Sequence, residues 1–286
     1  MPVDRRRLGG QSNVERIPRE GPLPLSFGQQ RVWFVEQLQA SGSNLNNLSV
    51  AYLIRGQVDE RRLDSALHSL VAREEILTTA FPGLGGFPVQ RIGVANEPEL
   101  EVRSFLNETG EHAERRALEF AAGRCAEPFD LDNGPLARLL LVRVAHERSY
   151  LVFCIHHIVA DWWSLGLLMR RLHAFYERAA VDDSQSGNGQ RGIQYVDFAA
   201  WQHEQMVGDE GDAGIGYWQR TLADMPDILD LSGSALPASL ARQRLAGTIA
   251  FPIHDELARE LKVVGREVRA TLGMVLLAAF DVLLWG

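Results

Sequence analysis

At 286 residues, 46% hydrophobic and 23% charged, the chain is long enough for one large or two ordinary globular domains. A net charge of −8 leaves no basic footprint, which argues against a nucleic-acid partner. Cys125 and Cys154 are the only cysteines, so a disulfide framework is excluded and a reducing cytoplasm fits. Arg5, Arg6 and Arg7 have no apolar run behind them and read as no signal peptide. The most apolar stretch, Leu272 to Trp285, is broken by Asp281 and too short for a bilayer, so no membrane partner is expected.

In chain order, residues 1–21 are polar, aperiodic and rich in Gly and Arg, and read as a flexible leader or linker. Ser26 is a good N-cap for a helix running to Leu38, with Trp33, Phe34 and Leu38 expected in the core. Leu48 to Arg55 reads as a strand ended by Gly56. Asp59 to Glu74 reads as an amphipathic helix burying Leu63, Ala66, Leu67, Leu70 and Val71. Strands are expected at Phe87–Gly93 and Leu100–Phe105, and a helix at Glu111–Ala122. Asn133-Gly134-Pro135 makes a turn feeding a further strand. A second turn, at Ala145 to Arg148, joins that strand to the next as a hairpin.

The next strand is the chain's most informative stretch, LVFCIHHIVADWWS from Leu151 to Ser164. A short continuous apolar run of this kind suits a strand buried on both faces. His156 and His157 close the strand, and their side chains point to opposite faces, so only one can serve a given cleft. Asp161 follows in a loop, and Ser164 is a candidate cap for a helix from Leu165 to Ala179. Three readings of the pair stand open: a satisfied core histidine, a general base or proton-positioning group, or a metal site with Asp161. Adjacent strand side chains diverge, which argues against a shared metal ion.

Downstream, Val181 to Gly192 reads as an exposed loop, and IQYVDFAAWQ starts a helix reaching Met206. Another helix opens at Gly216-Tyr217-Trp218. Thr248–Ile253 reads as a strand, Asp255–Val268 as a helix capped by Asp255, and Ala270–Leu284 as an apolar helix.

HHIVADWWS resembles the HHxxxDG signature of the condensation domains of nonribosomal peptide synthetases, relatives of chloramphenicol acetyltransferase. Three further motifs follow the family's order. SFGQQRVWFVEQL is similar to SxAQxRLWxL through Ser26, Gln29, Arg31 and Trp33, with Gly28 in place of Ala. VAREEILTTAF is similar to RHExLRTxF through Arg73, Glu75, Leu77, Thr79 and Phe81. There Glu74 replaces the His and Thr78 the second Arg, whose five donors Thr cannot imitate. IQYVDFAAWQ is similar to YxDFAxW through Tyr195, Asp197, Phe198 and Trp201. Two departures remain: Trp162 stands where the signature has Gly, and the family's Asp-Arg-Pro segment is absent near Ser232 to Ala235.

The resemblance implies an α/β (α+β sandwich) fold: a chloramphenicol-acetyltransferase-like lobe with a mixed β-sheet flanked by helices, and an incomplete second lobe. In that reading residues 1–21 are leader, 22–207 the N-terminal lobe, 208–245 a connection, and 246–286 the start of a truncated C-terminal lobe. The implied activity is amide formation between a donor acyl or peptidyl thioester and the amine of an acceptor aminoacyl thioester. An ester-forming acyltransferase and a non-catalytic carrier-binding module are the alternatives. His157 is the implied catalytic residue and His156 its support. Asp161 is expected to hold the loop through an arginine ion pair. Arg31, Arg73, Trp162, Ser164, Tyr195 and Asp197 would line the substrate tunnel or support it. No directly bound cofactor or metal is implied. Substrates arrive on the 4'-phosphopantetheine arms of donor and acceptor peptidyl carrier proteins, and an adenylation domain serves the same assembly line.

Overall fold

The apolar run Leu151 to Ile155 lies in the middle of a four-stranded sheet. The computed structural model describes residues 13–38, 44–108, 110–178, 192–206, 209–225 and 252–285, and the chain divides into two compact units, Met1–Gln243 and Arg244–Gly286. Strands β1 (Asn47–Arg55), β4 (Leu100–Ser104), β5 (Ala137–Ala145) and β6 (Arg148–His156) stand in the order β1-β6-β5-β4. β6 is antiparallel to both neighbours, whereas β4 runs parallel to β5, so the sheet is mixed. A parallel pair needs a long crossover, and α3 (Gly110–Ala126) supplies it. The β5–β6 connection is the tight hairpin that the turn signal at Ala145–Arg148 predicts, with an irregularity between Arg143 and Ala145.

Alternation along β5 and β6 sends side chains to two cores. Leu139, Leu141, Leu151, Phe153 and Ile155 pack with Leu63, Ala66, Leu67 and Leu70 of α2 (Glu60–Arg73) and with Leu165, Leu168 and Leu172 of α4 (Trp162–Arg178). Leu140, Val142, Val144 and Val152 pack with Ala113, Ala117 and Ala121 of α3. Each fully buried leucine contributes about 1.5–3 kcal/mol. Helices on both faces thus hold β6, and with it the histidine pair, at the centre of the unit. The turn into β5 passes through Gly134 at φ +64, where a Cβ would lie 2.8 Å from the Cβ of Ala95. Only glycine fits there.

Several expectations change. In α1 (Phe27–Leu38) Trp33 is buried and its indole donates to Phe81 O at 2.9 Å, but Phe34 and Leu38 are exposed. Successive helical residues turn by about 100°, so Phe34 faces away from Trp33. The strand expected at Phe87–Gly93 shrinks to a small hairpin, β2 (Gly83–Leu84) with β3 (Phe87–Pro88), turned by Gly85 and Gly86 at positive φ. Leu84 and Phe87 stay exposed there, so burial does not extend the pairing. The described part of the leader is anchored rather than free: Ile17 and Arg19 bond to Asp197. Helix α4 begins three residues before Leu165. Helix α5 is Tyr195–Gln205, and α6 (Asp209–Thr221) starts well before Gly216. Most of the strand expected at Thr248–Ile253, the loop at 181–191 and Ser232–Ala235 lie outside the described residues.

In the second unit α7 (Asp255–Glu267) takes His254, not Asp255, at its N-cap position. Helix α8 (Leu272–Trp285) is apolar except for Asp281 and has no buried residue. No single helix among the described residues is long and apolar enough to cross a membrane.

Candidate active site

The two histidines diverge as strand geometry requires. His156 is 1% exposed and sits edge-on to Phe129, with ring centroids 6.1 Å apart. His157 is exposed at the strand mouth. Its backbone N–H donates to Asn46 O at 2.7 Å, and its Nδ1 lies 3.0 Å from Ala160 O. A carbonyl oxygen only accepts, so in the neutral ring the proton is on Nδ1 and the lone pair on Nε2. That ring can take a proton from a group arriving at the strand mouth. The turn beyond it is braced by Gln29 of α1, whose amide donates to Ile158 O at 3.1 Å. Gln29 also closes a reciprocal cap with Ser26: Ser26 N–H donates to Gln29 Oε1 at 3.0 Å and Gln29 N–H to Ser26 Oγ at 3.2 Å.

Among the described residues no arginine pairs with Asp161. It is exposed, and among the described residues its carboxylate takes the N-cap position of α4, accepting the Ser164 N–H at 2.7 Å. The Ser164 N–H, helped by the Ser164 side chain, outweighs burial and holds the Asp161 carboxyl below its ordinary range; nearby His157 adds to this. Ser164 is therefore the donor to the cap rather than the cap itself. Thr78, in place of the motif's second arginine, bonds back to Glu75 O at 3.2 Å. Asp161→Ala should accordingly cost about 1 kcal/mol, the worth of an N-cap, and not the roughly 3–5 kcal/mol of a broken buried ion pair. Thermal unfolding checks this, with an expected fall of about 2–4 °C.

The remaining motif residues separate into two places. Trp162 follows the cap in the first turn of α4 and is 63% exposed, beside Trp163 at 77%. Tyr195 OH bonds Ser26 Oγ at 3.0 Å, tying α5 to the start of α1. Asp197, fully buried, accepts the Gln194 N–H at 2.8 Å, the Ile17 N–H at 2.9 Å and both terminal nitrogens of Arg19, at 2.6 and 2.9 Å. Arg19 also reaches Glu75 at 2.7 Å. This knot belongs to the scaffold, not to the histidine turn. Arg31 and Arg73 are exposed, and the Gln194 amide donates to the Arg73 carbonyl at 3.3 Å.

Sequence reasoning misses Arg19, Glu36 and Asn46. A signal for Glu36 is present: Gln29, Trp33 and Glu36 recur at helical spacing, so a carboxylate lies on the buried stripe of α1.

The family model described as "Condensation domain" matches residues 19–285. A linear gramicidin synthase of Brevibacillus parabrevis is 36% identical over 273 residues, covering 94% of this chain and 3% of that protein. Phosphinothricin tripeptide synthetase PhsC of Streptomyces viridochromogenes is 35% identical over 278 residues, covering 94% of this chain and 25% of that protein. Among solved structures, the starter condensation domain of rhizomide synthetase RzmA superposes with TM-score 0.64 at 18% identity, over 73% of this chain and 50% of that one. SgcC5 of Streptomyces globisporus does so with TM-score 0.70 at 24% identity, over 91% and 59%. The chain thus spans a quarter or less of these curated relatives and between half and three fifths of these solved structures.

Proposed function

The chain belongs to the condensation-domain family, and we propose that it carries the histidine-bearing part of a domain that joins two carrier-bound thioesters by an amide bond. The observation that carries this reading is His157, exposed at the end of β6 with Nδ1–H held by Ala160 O and its Nε2 lone pair available. The amine of the acceptor aminoacyl thioester attacks the carbonyl carbon of the donor thioester. As the C–N bond forms, Nε2 of His157 accepts the proton the amine loses. The C–S bond then breaks, and the departing thiolate of the donor's phosphopantetheine arm regains a proton from the imidazolium. Rigid packing of β6 between two helical layers gives the ring a fixed stance, which matters because orientation supplies much of such a reaction's acceleration. His156 supports the turn from beneath, Asp161 and Ser164 fix the start of α4, and Trp162 adds apolar bulk near the mouth.

In this reading donor and acceptor peptidyl carrier proteins are the partners, an adenylation domain loads them, and the setting is cytoplasmic. Residues 22–207, with Ile17 and Arg19 drawn in, form the catalytic lobe; 208–245 connect, and 246–286 open a second lobe. Trp162, at the position of the signature's glycine, favours a second reading in which the site binds carriers without turnover. The test is a chimera completing the chain to the length of a solved condensation domain, supplied with an acyl-loaded donor carrier and an aminoacyl-loaded acceptor carrier. Mass spectrometry of the acceptor arm should show the amide product. Carrier binding without product would favour the second reading, and an ester product on a hydroxyl acceptor would make it an ester-forming relative.

A further inference from the structure

The carboxylate that faces the buried histidine, His156, is not the one in the histidine motif. Gln29 and Trp33 of α1 are buried, and the Glu36 side chain on the same face is 17% exposed. A carboxylate so placed needs partners. The Asn46 amide donates to Glu36 Oε2 at 2.5 Å, and His156 Nε2 stands 3.7 Å from the same oxygen. Because His156 Nδ1 accepts the Ile158 N–H at 3.2 Å, the ring's proton is on Nε2, directed at Glu36. At 3.7 Å the contact is an electrostatic attraction longer than a hydrogen bond, and Nε2 makes no hydrogen bond among the described residues. Asn46 completes the link, since its own carbonyl accepts the His157 N–H. The His156 ring above all, with the Asn46 amide, outweighs burial and holds the Glu36 carboxyl below its ordinary range.

We propose that Glu36, acting with Asn46, is the positioning residue of the site: it reaches the His156 ring directly and the His157 backbone through Asn46, and so fixes the stance from which His157 accepts its proton. The proposal rests on the reading of His157 as proton acceptor. Asp161 keeps only the start of α4.

Glu36→Gln removes the charge and keeps the shape. Two measurements test it, one of which needs no turnover. Long-range 15N–1H spectra of the chain, labelled at histidine ring nitrogens and assigned with His156→Gln and His157→Gln, should show His156 protonated on Nε2 and His157 on Nδ1. In Glu36→Gln the His156 resonances should move and spread between tautomers. In the amide-forming chimera the same substitution should lower kcat about tenfold to a hundredfold, the scale of a misplacement of about 1 Å, with KM within about twofold and partial recovery in Glu36→Asp. Should Glu36→Gln fail to fold, Asn46→Ala, which cuts only the amide link, carries the same expectation for kcat. Unchanged His156 resonances together with a wild-type kcat overturn the proposal. A kcat indifferent to His157→Ala overturns the proton-acceptor reading instead, and the spectra alone then decide whether Glu36 holds the pair.

Discussion

Replacing His157 by alanine should lower kcat for amide formation by about 10²–10⁴-fold, the usual worth of a positioned general base. The melting temperature should stay within about 2 °C, because substitutions of exposed side chains change stability by about 0.5 kcal/mol or less. Both halves follow from the geometry. The ring is exposed and spends one nitrogen on Ala160 O, while the bond that anchors the chain, His157 N–H to Asn46 O, comes from the backbone and survives the substitution. Alanine thus removes a proton acceptor and little packing. The assay needs the completed chimera with both carriers loaded, and calorimetry on the same sample separates lost chemistry from lost fold. Dipeptide formed at a near wild-type rate by His157→Ala would remove the residue from the mechanism.

The legible parts of this chain are those decided by neighbours in sequence. Leu151 to Ile155 announces a doubly buried strand because no polar side chain interrupts it, and the sheet places it second from the edge between two antiparallel partners. The divergence of His156 and His157 follows from the pleat alone. Ser26 announces a helix start, and with Gln29 it forms the cap. Misread features depend on partners distant in the chain. The resemblance gives Asp161 an arginine, but the carboxylate accepts the Ser164 N–H, three residues on and available at any helix start. Arg19 sits in a segment whose composition reads as linker, yet it meets a carboxylate 178 residues away. Glu36 and Asn46 acquire meaning only when β6 brings His156 and His157 beside them. Periodicity marks which face of α1 is buried; it does not say what that face meets.

The second large effect lies in the anchor of the N-terminal segment. Asp197→Ala should destabilise the protein by about 3 kcal/mol, the lower end for removing one partner of a buried ion pair, with Tm falling by roughly 6–12 °C. The fully buried carboxylate accepts four hydrogen bonds, from Ile17 N–H, Gln194 N–H and two nitrogens of Arg19. Arg19 is 21% exposed and keeps Glu75 after the substitution, which moderates the loss. Burial alone would push the Asp197 carboxyl up, but Arg19 and the backbone N–H groups of Gln194 and Ile17 outweigh it and hold the carboxyl below its ordinary range. A carboxyl depressed in the folded state contributes stability that is present above its unfolded pKa of about 3.9 and lost as pH falls through the folded value. The gap between wild type and Asp197→Ala should therefore be full at pH 7 and narrow below about pH 4. Arg19→Ala should cost a comparable amount, and the double variant less than the sum, because both substitutions break one interaction. Cutting that anchor should also free residues 13–21, so trypsin should cleave after Arg16 and Arg19 faster in Asp197→Ala, and after Arg16 faster in Arg19→Ala, than in wild type. A Tm lowered by less than about 2 °C, with unchanged cleavage, would show that Asp197 holds nothing the lobe depends on.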